Sequence, residues 1–480
     1  MSPALLLPGL ILPLVAAPVS FLLGRRALPW LPWLVALMVA GCLCGLAAPL
    51  LSEGELFLHL GNWEPPLGLR WRFDGLVWGM IAATTLVCLA VAVYADGYVP
   101  NRGRRGRWLG FWPVLFFLWG ALNSLFLAGD IFNIYVTLEL VSLAAVALVT
   151  LDGRPQALAA GMRYLLLALV GSLCYLLGIA LLYASFGVLD AALLAERLQP
   201  GMTASLAMAL LGAGLFLKTA LFPVHGWLPA AHGEAPAPAS ALLSSLVVMG
   251  SLYVLLRLWL ELFGAVLTPG LRQFVAVLGA AAVLWGSWLA MRQRRLKLVV
   301  AYSTVAQLGY PLLMVPLLET SGAAAAWSGG FYLLLSHALA KASMFLVAGV
   351  LLHAQGHDRI FQSRGFAGRY PMSVFAFGLA ALTLLALPPS GGFIGKWLLL
   401  EASFGSGQWW WGLVLLLGGL LAAGYVFRVL VPIFGDAGHR HLEAVPLRME
   451  LAALSLAVGS VVLGLVAGAP VRALQAVVLP

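Results

Sequence analysis

Charge is what this chain has least of. Only 9% of its 480 residues are Asp, Glu, Lys or Arg, 62% are hydrophobic, and the mean hydropathy is +1.00. A soluble domain carries about 25% charged residues, and this chain has too little polar surface to cover itself. A soluble enzyme, a nucleic-acid binder and a secreted module are excluded at once. Cysteine is scarce as well. Cys42, Cys44, Cys88 and Cys174 all lie in apolar runs, with no pair in a zinc or redox context, so they read as small lipid-facing or core residues. No GxGxxG or P-loop follows a strand, and no haem or cysteine-cluster signature occurs. No cofactor is therefore expected on this chain, neither a nucleotide nor a redox centre. Disorder is excluded by 23 Phe, 17 Trp, 12 Tyr and long apolar runs. What remains is an all-α polytopic membrane protein.

A crossing helix needs roughly 20 apolar residues. That rule places about 14 spans, at approximately 4–23, 30–51, 76–95, 109–127, 131–151, 159–185, 205–221, 240–262, 271–291, 298–318, 328–352, 372–404, 409–434 and 449–473. No basic residue precedes the first span and Arg25 and Arg26 follow it, which favours an uncleaved helix with its N-terminus outside. The loop charges test the count. Odd-numbered loops hold Arg25, Arg26, Arg102, Arg104, Arg105, Arg107, Arg154, Arg292, Arg294, Arg295, Lys297, Arg359, Arg364, Arg369, Arg440 and Arg448. Even-numbered loops and the C-terminus hold only Arg70, Arg72, Arg197, Arg272 and Arg472. The net charge of +9 thus reports a topology bias, with odd loops cytoplasmic and both termini outside a plasma (inner) membrane. The loop 52–75, with Glu53, Glu55, Glu64 and Asp74, reads as a short capping hairpin. No loop is long enough for a soluble domain. The whole of 1–480 is expected to be one integral membrane domain, and its chemistry must lie within the membrane.

On insertion scales, a Lys or Asp at a helix centre costs about 2.5–3.5 kcal/mol, so an ionisable residue there is a functional candidate. Lys341 stands near the middle of span 11, with His337 four residues earlier on the same helical face. The plainer alternative is a structural His–Lys pair joining two helices. Glu139 lies about 12 Å into span 5 and needs a partner or a proton. Lys218 is near the end of span 7 and could snorkel, but Pro223 and the continuation VHGWLPAA suggest a broken helix that keeps it deep. Lys396 follows Pro388, Pro389, Gly391 and Gly392 inside span 12, a second interruption. Arg257, with Glu261 four residues on, and Arg428 read as interfacial anchors. His225, His232 and Glu234 could donate to a metal, but their spacing matches no usual site, so none is expected.

Spans 7 and 12 are separated by five helices and cross in opposite directions. Broken helices at matching places in inverted halves are the best sequence pointer to a transporter's ion path. Helices 1–3 (4–95) would then precede two five-helix repeats, 109–262 and 271–434, with a last helix at 449–473.

Several stretches resemble a known family. They are DIFNIYVTLEL around Glu139, LKTALFPVHGWLPAAHGEAPAPASALLSS from Leu217, RRLKLVVAYSTVAQLGY from Arg294, HALAKASMFL around Lys341 and LPPSGGFIGKW ending at Trp397. In this order they are similar to the antiporter-like, proton-translocating subunits of respiratory complex I and of Mrp-type cation/proton antiporters. The AAHGEAP element looks closest to the D-type Mrp protein. The resemblance implies about 14 helices with inverted repeats, broken helices 7 and 12, and a hydrated line of ionisable groups along the midplane. By motif, Glu139 resembles the helix-5 glutamate and Lys218 the lysine paired with it. His337 and Lys341 resemble the central relay, and Lys396 the terminal lysine. Met249 is a departure, standing where many members carry a helix-8 lysine. Met holds no proton, so Ser244, Ser245 and Ser251, with water, would have to bridge to His337.

The expected function is proton translocation in an Mrp-like Na⁺/H⁺ antiporter, with other membrane subunits as partners because the chain has no energy-input site of its own. Alternatives are the equivalent subunit of complex I or a membrane-bound hydrogenase, and a membrane subunit for inorganic-carbon uptake. A lipid-linked transferase would need acidic or His clusters in interfacial loops, which the outer loops lack. A mere scaffold would not bury Lys and Glu.

Overall fold

In hydrocarbon every backbone N–H and C=O must be satisfied within the protein, and long Leu-, Ala-, Val- and Gly-rich runs achieve this as helices. A computed structural model describes residues 6–24, 29–98, 108–435 and 442–475. Its helices are α1 (Leu12–Leu23), α2 (Leu31–Glu53), α3 (Gly75–Tyr98), α4 (Phe111–Leu127), α5 (Ile131–Thr150) and α6 (Pro155–Phe186). Then come α7a (Met202–Thr219), α7b (Trp227–Glu234), α8 (Ala237–Leu262), α9 (Pro269–Arg292), α10 (Leu296–Gly309, extended by a 3₁₀ stretch Tyr310–Leu317) and α11 (Ala323–Gln355). The last are α12a (Pro371–Leu385), α12b (Gly391–Gly405), α13 (Trp409–Phe434) and α14 (Leu447–Leu465). Among the described residues, 11 helices are long and apolar enough to cross a membrane, and the shorter Leu7–Leu23, Phe111–Leu127 and Pro371–Leu385 complete the fourteen spans. The chain is an integral multi-pass membrane protein.

The 52–75 loop is the hairpin that the sequence suggested, an antiparallel pair of β1 (Glu55–His59) with β2 (Arg70–Asp74). Two features were not legible beforehand. A short helix, Ala191–Arg197, fills the loop after α6. Helix α8 is interrupted by two π turns, Leu243–Val247 and Leu258–Leu262, on either side of Met249.

The two breaks share one design. Each half-helix ends on an alanine in the left-handed region, Ala220 (φ 57°) and Ala386 (φ 60°), and each alanine stands three residues before a cis-proline, Pro223 or Pro389. Left-handed backbone costs a non-glycine residue about 1–2 kcal/mol, so the surrounding helices must hold both turns in place.

Ion pairs sort the loops into two faces. Arg295 joins Glu234 (3.2 Å) and Asp358 (3.0 Å), while Arg154 donates to the Glu234 carbonyl. These residues belong to the loops after spans 5, 7, 9 and 11. On the opposite face Arg70 pairs with Asp190, and Arg272 with Glu319 (2.9 Å). There Arg257 is not a lipid anchor, as the sequence suggested. It is buried, bonding Asp74 at 2.7 Å, Glu261 at 2.8 Å and the Tyr253 hydroxyl at 3.0 Å, and so clamps the hairpin to the end of α8. Burial alone would raise the Asp74 carboxyl, but the Arg257 and Arg72 guanidiniums beside it hold it below the usual carboxylate range. The loops after spans 5, 7, 9 and 11 are thus joined on one face, and those after spans 2, 6, 8 and 10 on the other. Residues Arg25, Arg26, Arg102, Arg104, Arg105, Arg107 and Arg440 lie outside the described residues.

The arginine bias sets the expected orientation. Reporters fused at Gly103 and Gln293 are both expected to read cytoplasmic, with Gly54 and the C-terminus outside. Opposite readings at Gly103 and Gln293 would overturn the count.

Candidate functional site

The first half of the site forms where α6 and α7a cross almost backbone to backbone. A Cβ on Gly214 would lie 2.4 Å from the Gly171 carbonyl oxygen, and one on Gly171 would lie 2.9 Å from that of Gly214. Small residues permit this approach. One turn beyond Gly214 stands Lys218, and beside Gly171 stands Ser172. Lys218 Nζ bonds Glu139 Oε1 at 2.9 Å and Ser142 Oγ at 3.0 Å, and the Ser172 hydroxyl donates to the same carboxylate. Lys218 is 4% exposed, which removes the snorkelling alternative, whereas Glu139 is 22% exposed and faces outward from the chain. Past the break, α7b is pinned by Trp227, which stacks on Tyr164 (centroids 4.1 Å apart) and donates to the Leu217 carbonyl at 2.8 Å. Gly214→Val would wedge α7a away from α6. It is expected to cost about 1–3 kcal/mol and to lower the thermal unfolding temperature of the purified complex, while an unchanged temperature would mean that the contact is not tight.

Between the halves the polar groups thin out. The Thr219 hydroxyl donates to Ser251 at 2.9 Å, and Ser244 shares a hydrogen bond with Thr304 at 2.7 Å. Ser245 bonds only its own helix, at the Ala241 carbonyl. Met249 is fully buried within the apolar core.

In the second half His337 and Lys341 do not pair. His337 Nε2 lies 3.2 Å from the Ser244 carbonyl, inside the first π turn of α8. Lys341 is wholly buried and turns to α10, donating to the Val300 carbonyl at 3.2 Å and to the Ser303 hydroxyl. The two side chains thus tie α11 to two different helices. Lys396, 4% exposed, donates to the Leu384 carbonyl at 3.2 Å and lies 4.0 Å from the centre of the Tyr310 ring, a cation–π contact.

The breaks match, but their lysines do not. Lys218 stands two residues before Ala220. The corresponding place before Ala386 is Leu384, and Lys396 reaches its carbonyl from the far half-helix. Where Glu139 meets Lys218, the neutral Gln307 of α10 donates to that same Leu384 carbonyl at 3.3 Å. Among the described residues neither Lys341 nor Lys396 forms an ion pair.

The accessory candidates His225, His232 and Glu234 do not come together as one cluster. His225 stacks on Phe222 beside the first break. His232 is buried against Phe345 (4.7 Å), with neither ring nitrogen hydrogen-bonded. Glu234 goes to Arg295 instead. No three His, Cys, Asp or Glu side chains cluster as metal ligands among the described residues.

One further signal lies in the choice of basic residue. The chain has 27 Lys plus Arg, and only four are lysines: Lys218, Lys297, Lys341 and Lys396. All four are buried, including Lys297, which reads as a loop charge in the sequence but is 1% exposed and donates to the Ala235 carbonyl. Arginine cannot be deprotonated in a protein and lysine can, so every Lys or Arg here that is able to give up its proton is buried.

Residues 128–422 match the family described as NADH:quinone oxidoreductase/Mrp antiporter, TM. NADH-quinone oxidoreductase subunit N of Desulforudis audaxviator (strain MP104C) is 37% identical over 95% of this chain and 94% of that protein. The D-type protein of the Na(+)/H(+) antiporter of Bacillus subtilis (strain 168) is 28% identical over 81% and 78%. A chain of the Mrp complex from Dietzia sp. DQ12-45-1b superposes with a TM-score of 0.87 at 24% identity, over 100% of this chain and 98% of that one. One from Thermus thermophilus complex I with bound NADH gives 0.84 at 24%, over 98% and 97%. With the inverted halves, the two matched breaks and the family match across both, this chain belongs to the antiporter-like membrane subunits shared by NADH:quinone oxidoreductase and Mrp antiporters.

Proposed function

We propose that the chain moves protons along the line Glu139, Lys218, His337, Lys341 and Lys396 within a multisubunit membrane complex. The observation that carries this is the burial of Lys341 and Lys396 with hydroxyl or carbonyl partners and, among the described residues, no carboxylate. A buried ammonium so placed exchanges its proton readily when a nearby charge changes. At the other end the Glu139–Lys218 pair supplies such a charge. With Glu139 ionised and close, Lys218 keeps its proton; with Glu139 withdrawn or neutral, the proton moves on.

Two drives fit. The 37% identity to a subunit N over nearly the whole chain favours a redox-driven complex, in which other subunits oxidise a donor. The AAHGEAP element and the Na(+)/H(+) antiporter relatives favour an Mrp-type cation/proton antiporter. Purifying the complex from its native membrane and identifying the co-purifying subunits decides between them. Quinone-reductase or hydrogenase subunits establish the first, small Mrp-type subunits the second. A chain that purifies alone and still moves protons would overturn both.

A further inference from the structure

The proton line has a connection in its second half that the charged residues do not explain. Lys341 is held by Ser303, and Lys396 by the Leu384 carbonyl, to which Gln307 also donates. Ser303 and Gln307 lie four residues apart on α10, one turn, and so share a face. Opposite them on α13 is Tyr425, 2% exposed, with its hydroxyl in reach of both Gln307 and Ser303. That hydroxyl is buried, and so is the nearby Tyr310 hydroxyl, which has no hydrogen-bond partner among the described residues. Tyr310 is brought against α13 at Gly418, where a Cβ would fall 2.2 Å from its oxygen. Its ring in turn carries the Lys396 ammonium. The Tyr425 hydroxyl thus stands beside the Ser303 that Lys341 bonds and beside the Gln307 that shares the Leu384 carbonyl with Lys396.

We propose that the Tyr425 hydroxyl is the relay between Lys341 and Lys396. Gln307 is the positioning residue, fixing that hydroxyl while its own amide is anchored on Leu384. The proposal rests on the proton-relay reading above. Lys341 gives a proton to Ser303, whose hydroxyl turns from the Val300 carbonyl it donates to and passes its own proton to the Tyr425 oxygen. Tyr425 then releases its original proton toward Lys396. Each hydroxyl accepts one proton and gives up one, so a single charge crosses and both hydroxyls end neutral. Ser303 alone, one turn from Gln307, would leave the span to Lys396 unbridged.

The test uses the complete complex from native membranes, with proton movement measured in vesicles and rates expressed per assembled complex. Tyr425→Phe removes one oxygen and keeps the ring. It is expected to slow proton movement by about 10²-fold. Gln307→Leu should slow it by a smaller factor, and the double variant should be no slower than Tyr425→Phe, because the two act as a unit. Tyr332→Phe is the control. Its hydroxyl is bonded to the Leu463 carbonyl, off the line, and its loss should leave the rate unchanged. A wild-type rate in Tyr425→Phe overturns the proposal, as does an equal loss in Tyr332→Phe. Lys341→Met, run in parallel, separates the two levels. If it too is fully active, the relay reading itself has failed; if it is inactive while Tyr425→Phe is active, only the role of Tyr425 has.

Discussion

Replacing Glu139 by Gln is expected to lower coupled proton movement by on the order of 10²-fold while the complex still assembles. The substitution keeps the shape and the Ser172 contact but removes the charge that holds the Lys218 ammonium at 2.9 Å. Lys218, 4% exposed, then has only neutral side-chain partners, the Ser142 hydroxyl and the amide oxygen at position 139, too little to keep a proton in so dry a place. A lysine that has already lost its proton cannot relay one. Glu139→Asp retains the charge and shortens the reach by one methylene, so it should be milder. Lys218→Ala should match Glu139→Gln, and the double variant should be little worse than either, because residues acting as one switch are non-additive. The measurement is proton movement in everted vesicles holding all partner subunits, with assembly followed by co-purification. Full activity of assembled Glu139→Gln complex would remove the pair from the mechanism.

How much of this was legible depends on the kind of information each feature uses. Span number and the two faces are one-dimensional properties, set by apolar runs and arginine placement, and the ion pairs at Arg295 and Arg70 follow the odd and even loops. The breaks announced themselves as Pro223 and as Pro388 with Pro389. The partner of each buried charge was harder to foresee. His337 and Lys341, spaced as one face of α11, were expected to act together, yet a helix deep in the bundle meets several neighbours and sends the two side chains to α8 and α10 respectively. Arg257 looked like an anchor because its position near a span end is all that a linear reading sees. Its true partner, Asp74, lies on a hairpin 183 residues away. Gln307 and Tyr425 drew no attention, since a neutral amide and a tyrosine in apolar helices carry no charge signal. The four buried lysines could have been found by asking which basic residue was used, and not only where.

At Met249, where the family resemblance implied a lysine, the side chain is fully buried in apolar surroundings, with Ser245 bonded back to its own helix. The hydroxyl contacts Thr219–Ser251 and Ser244–Thr304 flank it on α8. The two halves are therefore joined by neutral groups, whereas each half contains its own lysine. In the proposed relay no titrating group stands at 249, and the groups between Glu139 and His337 are these hydroxyls and the π turn carrying Ser244.

Lys341 is where loss should be most complete, and two substitutions there distinguish charge from proton transfer. Lys341→Met keeps the length and removes the ammonium. Because the ammonium is wholly buried and has no counter-ion among the described residues, an apolar group of similar shape should leave assembly and thermal stability unchanged or slightly improved. Proton movement, by contrast, should fall by on the order of 10²-fold or more. Lys341→Arg keeps a positive charge near Ser303 and Val300 but cannot give up its proton. If the lysine served only as a fixed charge orienting water or neighbouring helices, Arg would preserve function. As a carrier that must be emptied and refilled in each cycle, it cannot be replaced by Arg, and both variants should be equally inactive. The check is proton movement per assembled complex alongside a thermal melt of the same preparation. A Lys341→Arg complex working at the wild-type rate would show that the charge alone suffices and that the proton passes elsewhere. Inactivity of both, with Lys341→Met as stable as wild type, would mean that the fold carries an unpaired buried ammonium because the proton needs a place to stop.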